Sequence, residues 1–177
     1  MGCHVAWLTG LSGAGKSTIA QRVAETLEAK GHRVLVLDGD AVRSTVSAGL
    51  GFSREDIYEN NRRFIELCLE TMPDYDFLLV PKISPFQEHR AETRQRLGAP
   101  FVEVFVYASL DEVSRRDTKG LYQKARDGVL TDLIGVAPEV PYEAPDDAEV
   151  VLDTENLTPE ACGAQLTTYL LTLGSSD

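Results

Sequence analysis

Gly10-Leu11-Ser12-Gly13-Ala14-Gly15-Lys16-Ser17-Thr18 fits the phosphate-cradling pattern G-x-x-x-x-G-K-[ST] without a mismatch. It follows an apolar run, Val5-Ala6-Trp7-Leu8, and precedes a helical pattern, so its setting is strand, glycine loop, helix. Glycines let a backbone wrap around a phosphate chain with successive amide N–H groups pointing inward. Gly10, Ser12, Gly13, Ala14, Gly15 and Thr18 are therefore expected to hold phosphates. Lys16 is expected to reach the β- and γ-phosphates, and Ser17 to place a hydroxyl on Mg²⁺. The helix that follows presents its positive N-terminus to the same charge. A glycine-rich turn with a surface lysine would not need the full spacing or this context. The chain reads as one that binds a nucleoside triphosphate.

Composition narrows the rest. At 177 residues the chain reads as a single domain, 1–177, long enough for a sizeable core. Hydrophobic residues at 43% and charged ones at 25% are ordinary for a soluble globular protein. No stretch approaches the ~20 apolar residues of a bilayer span, and no signal-peptide pattern precedes the first strand. The expectation is a cytoplasmic protein with no membrane partner. Cys3, Cys68 and Cys162, like His4, His32 and His89, fall in no metal-ligand spacing. The cysteines are expected reduced, Cys68 and Cys162 as small apolar residues on helix faces. A net charge of −11 argues against a nucleic-acid partner. It does not argue against a nucleotide, whose phosphates respond to a few local cations.

Apolar runs alternate with helical patterns, which predicts an α/β fold on a mainly parallel five-stranded sheet. Strands are expected at His4–Leu8, Arg33–Leu37, Phe77–Val80, Phe101–Tyr107 and Glu149–Leu152. Helices are expected at Lys16–Ala29, Arg54–Glu70, Pro85–Leu97, Leu110–Arg116 and Pro159–Leu173. Lys30-Gly31 supplies a glycine stop, Ser53 with Asp56 a capping box, and Thr158-Pro159-Glu160 a cap with proline at the first helical position. From about 117 to 145 run Gly120, Gly128, Gly135, Pro138, Pro141 and Pro145, which suggest a mobile lid more than a packed element. No internal repeat appears, and no low-complexity segment beyond Gly174–Asp177.

In an open parallel sheet, ligands bind at the carboxyl ends of strands. The second strand ends in Leu37-Asp38-Gly39-Asp40, with Arg43 one turn later. One of these carboxylates can hold the metal shell while the other takes a proton from an attacking hydroxyl. Arg62 and Arg63 diverge by about 100° on a helix, so at most one faces a given phosphate while the other pairs with an acid such as Glu66. Ser84, at the end of the third strand and before Pro85, reads first as a helix cap. Arg115, Arg116 and Lys119 sit near the flexible Gly120 and can cover triphosphate charge.

Taken together these segments resemble the adenylylsulfate kinase (APS kinase) family, a P-loop kinase family. The resemblance runs from Gly10–Thr18 through Asp38-Gly39-Asp40 with Arg43, Gly51-Phe52-Ser53, and Asn60 with Arg62-Arg63. It continues through Ile83-Ser84-Pro85, Lys119-Gly120-Leu121-Tyr122 and Tyr142-Glu143-Ala144-Pro145, the last two being the more specific segments. It implies a three-layer fold and transfer from Mg-ATP to the 3′-hydroxyl of adenosine 5′-phosphosulfate (APS), giving PAPS. It implies Asp40 as base, Asp38 with Ser17 at the metal, and Lys16, Arg116 and Lys119 at ATP. Arg43, Phe52, Asn60 and the Ile83-Ser84 backbone would line the acceptor pocket. A homodimer is expected on the resemblance alone.

The departures lie on the acceptor side. Ile57 stands where the family has arginine, Leu133 where it has a lid phenylalanine, Lys82 where it has an aromatic residue, and Asn61 where it has an aliphatic one. Lys82 and Leu133 are accordingly added to the acceptor-binding residues. The changes leave a second acceptor class open: another nucleotide, such as a cytidine diphosphate derivative, or a specialised-metabolite hydroxyl. A nucleotide-binding protein without catalysis fits poorly with intact Lys16, Ser17, Asp38 and Asp40.

Overall fold

Odd and even positions of the strands feed two different cores. In the computed structural model, which describes residues 2–98 and 101–173, the strands are β1 His4–Thr9, β2 Val34–Val36, β3 Phe77–Pro81, β4 Phe101–Tyr107 and β5 Val150–Asp153. They pair in the order β2-β3-β1-β4-β5, parallel throughout. Ala6 and Leu8 of β1, with Phe77 and Leu79 of β3, join a core covered by α1 (Lys16–Glu28) and α7 (Pro159–Leu173). Val5, Trp7, Leu78 and Val80 enter the opposite core, closed by Phe64, Ile65 and Cys68 of α3 (Arg54–Thr71) and Leu97 of α4 (Gln87–Leu97). Side chains alternate across a strand, and with both faces covered the strands read as nearly unbroken apolar runs. This is the expected three-layer α/β fold, with β1 at its centre feeding the glycine loop.

Local chemistry sets the helix ends as the sequence implies. Ser53 Oγ accepts from the Asp56 amide at 3.1 Å and Thr158 Oγ1 from the Ala161 amide at 3.2 Å. Gly31, at φ +89°, stops the chain after α1.

Two segments differ from the expectation. The Asp38-Gly39-Asp40 turn opens a short helix, α2 (Gly39–Thr45), because Asp38 Oδ1 accepts from the amides of Asp40 (2.9 Å) and Ala41 (3.3 Å). After α5 (Leu110–Arg116), the stretch expected as a mobile lid is packed and contains a further helix, α6 (Leu121–Arg126). Asp117 starts α6 by accepting from the amides of Tyr122 (3.0 Å) and Gln123 (2.8 Å), and the Tyr122 hydroxyl donates to the Ser12 carbonyl at 2.7 Å. Leu133 reaches the first core, while Ile134, Ala137 and Val140 form a third apolar cluster with Ile57 and Phe86. Apolar side chains scattered among the glycines and prolines anchor this segment one at a time. Gly174–Asp177 lie outside the described residues.

One buried charge organises the rim. Arg90, 2% exposed on α4, donates to Glu103 on β4 (2.6 Å), to the Ser84 carbonyl (2.8 Å) and to the Glu143 carbonyl (2.8 Å). It ties the segment after β3 to the Tyr142–Glu143 segment. Removing one partner of a buried ion pair leaves the other charge uncompensated, at about 3–5 kcal/mol. Arg90→Met is therefore expected to lose about that much stability in urea denaturation. A loss below about 1 kcal/mol, the level of an exposed pair, would contradict the role.

Candidate active site

The glycine loop is shaped by what lies beneath it. Gly10 has φ +149°, and a Cβ there would come within 2.3 Å of the Val106 carbonyl oxygen. Only glycine lets β1 turn so close to β4. Gly15, at φ +103°, begins α1 without a side-chain cap, so the first amides of the helix are left to a ligand. Lys16 Nζ donates to the Gly10 and Leu11 carbonyls, each at 2.8 Å. Burial, and then the nearby Lys119 charge, push this ammonium down to about 7, with Asp40 and Asp38 partly opposing them.

Across the cleft, Ser17 Oγ donates to Asp38 Oδ2 at 2.6 Å. Burial acts to raise the Asp38 pKa. The bonds from Ser17 and from the Ala41 and Asp40 amides, with the Lys119 charge, hold it below the ordinary value. A hydroxyl and an ionised carboxylate side by side are hard oxygen donors, the type Mg²⁺ takes alongside phosphate oxygens and water. The residues therefore fit the metal. Asp40 projects from the same turn, and its carboxylate is paired with Lys119, which arrives from beyond α5.

The opposite wall comes from α2, α3 and the end of β3. Arg43 donates to the Leu50 carbonyl at 2.9 Å and to that of Gly51, and its guanidinium lies 4.3 Å over the Phe52 ring. Asn60 is 5% exposed, and its Oδ1 has no hydrogen-bond partner. Ser84 holds φ +47°, unusual for a non-glycine residue. Its hydroxyl accepts from the Trp7 indole at 2.8 Å. Ser84 is therefore not a helix cap, as expected from sequence; α4 begins at Gln87. Ser12, Gly13, Gly15, Lys16, Ser17, Thr18, Asp38, Asp40, Arg43, Phe52, Asn60, Lys82, Ile83, Ser84 and Lys119 all line one cavity of about 300 Å³.

Several expected residues stand elsewhere. Gly10 and Ala14 shape the loop from below, Ala14 being fully buried. Arg116 does not line the cavity: its guanidinium bonds Glu112 at 2.7 Å and Thr154 at 3.1 and 2.6 Å, fastening α5 to the turn after β5. Leu133 also lies off the cavity lining. Val136 and Ala137 donate back to its carbonyl at 3.0 and 2.9 Å, and the turn sends Leu133 into the core while Ile134 takes the cavity wall. Glu66 pairs with Arg96, and Arg63 with Glu59 at 2.8 Å, so the expected Arg–Glu66 pair does not form. Sequence reading missed Ile134, and also Arg90 and Glu103; Tyr142, read there only as part of a family segment, has its hydroxyl 3.0 Å from that of Thr9. The heptapeptide-scale spacing of motifs carries no signal for such tertiary pairs.

Two cavity lysines give the protein a pH signature. Lys16 and Lys82 are both pushed to about 7 from an ordinary 10.5, mainly by burial. Between pH 7 and about 8.5 the unfolded chain therefore binds more protons than the native one, and stability rises with pH. Higher up, the buried Cys3 and Cys68 thiols, raised to about 11 and about 12, act in the opposite direction. Urea denaturation of the nucleotide-free protein is expected to show greater stability at pH 8.5 than at 7, and a fall would contradict the assignment.

A cleft of this kind at the carboxyl ends of a parallel sheet, opening on a complete phosphate loop, defines a P-loop kinase. The sequence model of the adenylylsulphate kinase family matches residues 1–153. The adenylyl-sulfate kinase of Picosynechococcus sp. is 48% identical over 149 residues, covering 84% of this chain and 82% of that protein. That of Clostridium kluyveri is 42% identical over 164 residues, covering 93% and 81%. The structure of the Mycobacterium tuberculosis APS kinase CysC in complex with AMPPNP and APS is 37% identical, with a TM-score of 0.90 over 97% of this chain and 98% of that one. The chain belongs to the adenylylsulphate kinase family. Among the described residues no helix is long and apolar enough to cross a membrane.

Proposed function

We propose that the protein phosphorylates the 3′-hydroxyl of adenosine 5′-phosphosulfate with Mg-ATP, giving PAPS. The observation that carries this reading is the cavity itself. Lys16, Ser17 and Asp38 line it together with Arg43, Phe52 and Asn60, and Asp40 belongs to the same lining. Names and substrates of the relatives agree with it.

The residue roles follow from chemistry. The Gly13–Thr18 amides and Lys16 hold the triphosphate. Ser17 and the oxygens around Asp38 would hold Mg²⁺, which when bound neutralises phosphate charge. Asp40 accepts the proton of the acceptor hydroxyl as that oxygen bonds to the γ-phosphorus and the bond to the ADP oxygen breaks. Lys119, paired with Asp40 in this structure, is placed to move onto the transferring group. Phe52 offers a face to the acceptor base and Asn60 Oδ1 an acceptor for one of its donors. A cytoplasmic, self-associating enzyme remains part of the proposal on family grounds. The second acceptor class rested on Ile57, Lys82 and Leu133, and Leu133 is no longer at the cavity.

Following ADP release with Mg-ATP tests the reading. APS is expected to support turnover at low micromolar concentration, above every other nucleotide in a panel. Release with a cytidine diphosphate derivative but not with APS would overturn it.

A further inference from the structure

Lys82 is a buried amine whose charged form the protein does not answer. It is 7% exposed, lines the cavity, and has its Nζ 5.2 Å from the Phe64 ring centre and 6.0 Å from that of Trp7. Among the described residues, no carboxylate and no hydrogen-bond acceptor reaches this ammonium. Aromatic faces hold a cation by their quadrupole, yet a buried ammonium without an anion is a costly state. Ile57, nearby on the same lining, is apolar and adds no charge.

The two buried lysines of the cavity meet different charges. The charges acting on Lys16 are Lys119, Asp40 and Asp38. Those coupled to Lys82 are Arg43 on α2, Cys68 on α3 and His89 on α4. Arg43 is faced by Asp56, Asp40 and Asp132, whereas Lys82, which packs beside Gly39, has no acid among the charges acting on it. Asn60 adds a second observation: an orphaned Oδ1 on a side chain 5% exposed, also on the lining. A lining with such an amine and an unpartnered amide is built to complete its bonds with a ligand.

We propose that Lys82, with Arg43, receives the anionic group that the acceptor carries away from its reacting hydroxyl, and so sets acceptor selectivity. The inference rests on the reading of this part of the lining as the acceptor site. For APS the group is the 5′-phosphosulfate. The charges acting on Lys82 are Arg43 and Cys68 and not Lys16, so on this proposal the residue discriminates acceptors and leaves ATP recognition to the loop. Anion binding restores the charge that burial suppresses, with uptake of a proton near and above pH 7. Of the other groups facing Lys82, Arg43 stays charged, burial pushes the Cys68 thiol up to about 12, and burial lowers His89 below its ordinary value. None of them titrates between pH 7 and about 8.5.

Steady-state kinetics at saturating Mg-ATP compare the wild type with Lys82→Met and Lys82→Arg. The methionine variant is expected to raise KM for APS by about 10–100-fold, the size of a hydrogen bond to a charged group. Its KM for ATP should be unchanged, and arginine should restore most of the loss. The wild-type KM for APS should rise from pH 7 to 8.5, while that of the methionine variant stays flat. If the wild type uses APS and Lys82→Met leaves its KM unaltered, the inference falls and the proposed function stands. A direct readout covers the other case. In wild-type protein carrying ¹³C at lysine Cε and saturated with Mg-ADP, added inorganic sulfate should raise the Lys82 titration midpoint, with chloride at matched ionic strength as control. That shift supports the anion site even if APS is not turned over; an unmoved midpoint overturns it.

Discussion

Replacing Asp40 by alanine is expected to lower kcat by about 10²–10⁴-fold, the range of a positioned general base, while ATP binding measured by calorimetry stays near wild type. The separation is the informative part. Asp40 is an exposed side chain, so its loss opens no core cavity, and the Asp38 cap of α2 bonds the Asp40 amide rather than its carboxylate. The variant should fold and hold ATP yet transfer slowly, because no carboxylate takes the hydroxyl proton. Freed Lys119 would be available to the phosphates, which works against any fall in ATP affinity. A kcat within threefold of wild type would remove Asp40 from the mechanism. Asp38→Ala would be a poorer test, since it removes a helix cap and the proposed metal-side oxygen together.

Lys16→Ala is expected to reduce kcat/KM for ATP by about 10²–10³-fold, as when a preorganised donor is withdrawn from developing negative charge. Unfolding is not the cause expected. The ammonium is buried and held at about 7, a sign that the empty native state strains to keep it charged. What the variant loses is the state with triphosphate bound, where phosphate charge replaces the two carbonyls that Lys16 now bonds. Near-wild-type stability with a large kinetic defect is therefore the expected pattern. A kcat/KM within tenfold of wild type would contradict it.

The parts legible from sequence are those in which short-range chemistry fixes the backbone. Gly10 must be glycine where a Cβ would strike the Val106 carbonyl, and that necessity is written into the loop pattern. Ser53 and Thr158 cap helices through amides three residues on, a local geometry that spacing reveals. The α2 helix was hidden because seven residues give no period, and because Asp38 caps the helix while also lining the cavity. In the glycine- and proline-rich 117–145 stretch, no repeat says which side chain turns inward. A single tight turn there exchanged Leu133 for Ile134 at the cavity. Arg90 finds Glu103 across an intervening strand start and Glu143 far along the chain, pairings that only the assembled sheet creates. Ile57 shows the same limit: it read as a missing charge, and the structure gives it a packing role with Phe86, Ile134 and Val140.

The most direct measurement is a crystal structure with Mg²⁺, a non-hydrolysable ATP analogue and APS bound together. The expected result places the triphosphate on the Gly10–Thr18 loop, with its γ-phosphorus about 3–3.5 Å from the acceptor 3′-oxygen. The Asp40 carboxylate should lie within hydrogen-bond reach of that hydroxyl. A triphosphate seated off the loop, or an acceptor hydroxyl pointing away from both Asp40 and the γ-phosphate, would contradict the account.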